Sequence, residues 1–158
     1  MASNDILVLI AELAVGIAGF SSVVVALDVR SVAEWSPLQR RNLRILLQVS
    51  AHAILFSLFP LILQRAVDTP AFWNLALAVH GVAHTVGVSS FLLRPVAGES
   101  RTAPIIGLTI ALASLGVAAL GSPTVAEVTY LCALVWDLGI AGMGFAFLVF
   151  RGSGQAAP

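Results

Sequence analysis

Residues 125–150 read VAEVTYLCALVWDLGIAGMGFAFLVF, a run that holds two carboxylates, Glu127 and Asp137, and no basic residue. At 1.5 Å per residue a helix over this run is about 39 Å long. That exceeds the ~30 Å of hydrocarbon in a bilayer and leaves room for tilt. Four further apolar stretches precede it, at 6–27, 43–63, 71–93 and 105–120. Each is long enough, or in the fourth case nearly so, to cross as a helix. The expected fold is therefore all-α: a polytopic transmembrane bundle of five helices, forming one transmembrane domain over 1–151 with a flexible tail at 152–158.

Composition points the same way. Of 158 residues, 59% are apolar and 10% charged, and the mean hydropathy is +0.99. A soluble domain carries roughly a quarter charged residues, because its surface must face water. The formal net charge is zero, so no global field attracts nucleic acid. The lone cysteine, Cys132, excludes an intrachain disulfide and is read as a buried free thiol. The opening Met1-Ala2-Ser3-Asn4-Asp5 places an acid where a signal peptide carries basic residues, so the first run is expected to be a retained span. No lipidation box is present.

Local signals mark the helix ends. Ser36-Pro37-Leu38-Gln39 combines a capping box with proline at the first helical position, so helix 2 should begin before the membrane does. Thr69-Pro70, Ala103-Pro104 and Ser122-Pro123 are the expected openings of helices 3, 4 and 5. Gly121 is a natural stop for helix 4, which makes helices 4 and 5 a tight antiparallel hairpin, and Pro60 should kink the outer end of helix 2.

All eight basic residues are arginines. Arg30, Arg40 and Arg41 lie between spans 1 and 2 with Arg44 at the start of span 2, Arg94 and Arg101 between spans 3 and 4, and Arg151 after span 5; only Arg65 falls on the other side. By the positive-inside rule the N-terminus is expected outside and the C-terminus in the cytoplasm, in a bacterial cytoplasmic (inner) membrane. Trp35 and Trp73 are expected near the two interfaces. The loops and tail leave no room for a soluble catalytic or sensory domain, and no internal repeat supports an inverted-repeat transporter.

Polar groups within spans are costly and mark function by default. Here they are Glu12 in span 1, Gln48 and His52 in span 2, His80 and His84 in span 3, and Glu127, Tyr130 and Asp137 in span 5. Helical spacing puts Arg41, Gln48 and His52 on one stripe, His80, His84 and Gly87 on another, and Tyr130, Asp137, Ala141 and Gly144 on a third. Counted from the cytoplasmic ends, His52 and His84 lie ~12–14 Å deep, with Asp137 slightly further out. Glu12 and His80 come about 20 Å from the inside on the same reckoning. Glu127 is near the outer mouth.

Three kinds of chemistry fit these residues. Carboxylates and imidazoles spaced along the spans make a proton or cation path through Glu127, Glu12, His80, Asp137, His52 and His84. His80 and His84, four residues apart, present two imidazoles to a divalent metal, with Glu12 or Asp137 required to complete the set. His52 and His84, at matched depth, have the placement of two axial haem ligands. The segment His84-Thr85-Val86-Gly87-Val88-Ser89 contains a fragment of a potassium-filter sequence, but it lies within a span that must be helical, so no potassium channel is inferred.

No nucleophile elbow, phosphate-binding loop, dinucleotide fingerprint or metalloprotease motif occurs, and no enzymatic activity is expected. Small residues recur at helical spacing: Ala14, Ala18 and Ser22; Gly107 and Ala111; Gly139, Gly142, Gly144 and Ala146. Such faces allow close helix contact within one chain or between copies. The leading expectation is a homo-oligomeric channel or channel-like permease for protons or small cations, without a required cofactor. The alternative is an accessory or scaffold subunit that binds haem, metal, lipid or a larger membrane complex.

Overall fold

The computed structural model describes residues 3–28, 32–95 and 101–152. Among them are five α-helices: α1 (Ser3–Leu27), α2 (Pro37–Ala66), α3 (Phe72–Leu93), α4 (Thr102–Leu120) and α5 (Pro123–Gly152), with a 3-10 turn at Val32–Glu34 and no strand. All five are long and apolar enough to cross a membrane, as an integral membrane protein requires. In the most apolar window of each, only 17–28% of residues are buried within the chain, so most residues there keep at least part of their surface exposed. The predicted tail falls mostly at 153–158, and the predicted Arg30 falls in the 29–31 gap, both outside the described residues.

The capping signals act as read at α2. Ser36 N–H donates to Gln39 Oε1 at 2.9 Å and Gln39 N–H donates to Ser36 Oγ at 3.2 Å, the reciprocal pair of a capping box. α5 begins at Pro123, and Val125 N–H donates to Ser122 Oγ at 3.4 Å. The other two prolines sit differently. Pro104 is the third residue of α4, where its missing N–H still falls among those without an intrahelical partner. Thr69-Pro70 form a turn that precedes α3, closed by Phe72 N–H donating to Thr69 O at 3.1 Å.

The chain separates into two compact units, 1–55 with 135–158, and 56–134. In the first, Trp35, Leu46 and Leu148 are buried together, flanked by Ile17, Val24, Val25, Leu43 and Phe145. A Cβ added to Gly144 would stand 3.1 Å from Leu46 Cβ, so the lack of a side chain sets how closely α5 meets α2 here. Trp35 is buried, its ring part of this core.

In the second unit α3 and α4 pack along their length. A Cβ on Gly81 would come 2.9 Å from Leu115 Cδ2 and 3.4 Å from Ala111 O, so glycine permits the close approach. The C-terminus of α4 exposes carbonyls with no intrahelical donor. Asn74 of α3 serves two of these positions, its Nδ2 donating to Ala118 O at 3.1 Å and Gly121 O at 3.0 Å. Gly121 stops α4 as predicted, in an extended conformation (φ −82°, ψ 158°), with its N–H on Val117 O at 2.7 Å. A Cβ there would lie 2.6 Å from that oxygen.

Pro60 lies inside α2 and cannot supply the N–H that would meet the carbonyl of Phe56, four residues earlier. Tyr130, fully buried on α5, donates its hydroxyl to that carbonyl. Trp73, at the start of α3, is also buried, its ring 5.9 Å from Tyr130 and 4.7 Å from Phe72. Cys132 is free but exposed, a correction to its expected burial. The buried stripe of α5 runs through Ala126, Tyr130, Ala133, Leu134, Asp137 and Ala141, and position 132 falls off it.

Candidate functional site

Helical periodicity on α5 places Tyr130, Asp137 and Ala141 on one face, and all three are buried. In the first unit this face brings Asp137 to His52 of α2. His52 Nε2 stands 3.7 Å from Asp137 Oδ2, with the side chains 18% and 1% exposed. That spacing is within ion-pair range and slightly beyond a direct hydrogen bond. A carboxylate so deeply enclosed within a membrane-crossing helix is costly to charge unless a cation or donor faces it. His52 supplies such a partner once protonated.

The remaining expectations for α2 divide. Arg41 and His52 are half-buried, whereas Gln48 is exposed. The buried stripe of α2 is Leu46, Ser50, Ala53, Ser57 and Pro60. Ser50 and Ser57 carry fully buried hydroxyls with no hydrogen-bond partner among the described residues. Several other serine and threonine hydroxyls in the spans donate to carbonyls of their own helix, as Ser21 does to Ile17 O at 2.6 Å and Thr85 to Gly81 O at 2.7 Å. Serine is common in apolar helices, so residue type alone does not single out this pair. Their seven-residue spacing was the only available signal.

In the second unit α3 brings His80 and His84 together. His80 is buried and His84 half-buried, with ring centroids 5.7 Å apart and planes inclined at 33°. One ring nitrogen of each lies within 4.8 Å of the other. His80 stands edge-to-face with Phe56 at 5.1 Å and with Tyr130 at 5.5 Å. Two aromatic rings on neighbouring helical segments thus limit the tilt of its imidazole. Residues 84–89, which carry the filter-like fragment, are helical throughout, as a crossing segment requires.

Glu127 is half-buried and lines a cleft of about 360 Å³. The cleft lies between the α2–α3 and α4–α5 turns, with Gln64, Asp68, Thr69, Trp73 and Thr124 also on its wall. Glu12 stands apart, exposed on α1. Its helical face continues through Gly16 and Gly19, where an added Cβ would meet nothing within 4 Å. No protein-family model, curated protein or solved structure matches this chain.

Proposed function

We propose that the protein is a proton or small-cation permease of the channel-like kind, working as a homo-oligomer with no enzymatic step. The observation that carries the reading is the enclosed His52–Asp137 pair, 3.7 Å apart within apolar spans. A protonatable carboxylate facing a protonatable imidazole can take up and release a proton, or exchange it for a small cation, with modest movement. The buried hydroxyls of Ser50 and Ser57 add polar groups on α2 that a permeating ion or its water can use.

Two further features support an assembly. Glu12 lies on an outward face of a membrane-crossing helix, where lipid is a poor solvent for a carboxylate. The adjoining Gly16 and Gly19 leave that face open to a neighbouring helix, and Gly116, Gly139 and Gly142 likewise have no atom within 4 Å of an added Cβ. A second copy seated on α1 removes Glu12 from lipid. The arginine distribution orients the assembly with the N-terminus outside and the C-terminus in the cytoplasm, and a bacterial inner membrane is the proposed location.

The test is ion flux into liposomes that hold the purified protein, across a panel of ions and pH values. Flux that depends on the protein and disappears in Asp137→Asn supports the reading. Absence of flux for every ion, with the protein correctly inserted, overturns it.

A further inference from the structure

We infer that His80 and His84 form a chelating site for a divalent transition-metal ion, of the class that imidazole ligands select, such as Zn²⁺ or Cu²⁺. This inference concerns residues 56–134 alone and does not depend on ion permeation.

The sequence His80-Gly81-Val82-Ala83-His84 puts two imidazoles one helical turn apart on one face. That is the spacing used by helical zinc sites, although the glutamate of the hydrolytic motif is absent, so binding and not hydrolysis is implied. Donor nitrogens at zinc-ligand distances of 2.0–2.1 Å in a tetrahedral site are about 3.4 Å apart. One nitrogen from each ring already lies within 4.8 Å of the other, with no ion to draw them together. Chelation requires His84, which is half-buried, to turn so that the remaining distance closes.

The surroundings favour this geometry. Phe56 and Tyr130 hold the His80 ring edge-to-face, so its orientation is set before an ion arrives. On the other side α4 presents Gly107 to His84, where an added Cβ would stand 3.6 Å from Nε2. The Val88 side chain borders the same space, its Cγ2 3.4 Å from that point. Gly81, between the two histidines, seats α3 close against Leu115 of α4 and keeps this geometry in register. Two imidazoles leave at least two of four coordination positions, which in this proposal go to exchangeable ligands and not to the Glu12 or Asp137 carboxylate expected from the sequence.

The experiment uses tag-free, chelator-stripped full-length protein in detergent micelles. Titration calorimetry with Zn²⁺ should show saturable binding of one ion per chain. His84→Asn and His80→Asn should each weaken it at least tenfold. With one equivalent of Cu²⁺, electron paramagnetic resonance of the unaltered protein should show coupling to two imidazole nitrogens, and to one in each variant. The spectrum of the unaltered protein decides the matter even if the His80 variant fails to fold. No saturable binding, a spectrum without two nitrogens, or undiminished affinity in a folded His84→Asn protein overturns the inference.

Discussion

Tyr130 donates its hydroxyl to the carbonyl of Phe56, the acceptor whose helical donor is lost because residue 60 is proline. The bond replaces a local interaction of α2 with one supplied by α5, within residues 56–134. In hydrocarbon no water can serve that carbonyl, so the hydroxyl takes over a task that solvent performs in soluble proteins. The same tyrosine ring touches Trp73 and His80, and so one side chain both repairs a helix and shapes the surroundings of an imidazole.

Tyr130→Phe should cost about 1 kcal/mol of stability, the usual size of an interhelical hydrogen bond in a membrane protein. Pro60→Ala restores an N–H to α2 and gives the Phe56 carbonyl its own donor. In that background the cost of Tyr130→Phe should shrink. Unfolding in mixed micelles, arranged as a double-mutant cycle, measures the coupling; additive effects would show that the proline and the tyrosine act independently.

Asp137→Asn should abolish or strongly alter ion flux in liposomes while expression and oligomer size stay unchanged. The amide keeps the shape of the group opposite His52 and removes its charge and exchangeable proton. His52→Gln should reduce flux in the same direction. Unchanged flux in both variants would assign the pair to helix packing.

Reporter fusions near residues 3 and 155 should lie on opposite sides of the membrane, the first outside and the second in the cytoplasm. Five spans would put the two ends on opposite sides, and the arginine distribution is the basis of the proposed orientation. Both reporters on one side would remove the five-span topology.

In mild detergent the mass, corrected for bound detergent, should exceed the 16.4 kDa of one chain severalfold. Gly19→Leu should lower that mass while leaving the chain folded, because the position is exposed and an added Cβ meets nothing within the chain. A monomer in native-like lipid, or an assembly indifferent to Gly19→Leu, would argue against contact through this face of α1.

What the sequence by itself determined is local in origin. The number of helices apolar enough to span follows from runs of apolar residues near or above bilayer thickness, and the start of α2 from four consecutive residues whose side chains and backbone satisfy one another. The shared face of Tyr130, Asp137 and Ala141 follows from the helical repeat alone. Partnership does not, because every span is apolar on all sides and hydropathy cannot distinguish a face against protein from one against lipid. Only the tertiary structure set His52 opposite Asp137, enclosed His80 with Phe56 and Tyr130, and gave Asn74 to the end of α4. It also turned Glu12 and Cys132 outward and buried Trp35 and Trp73. Those placements depend on where glycines such as Gly81 and Gly144 let backbones approach, a property of two helices in contact that neither carries alone.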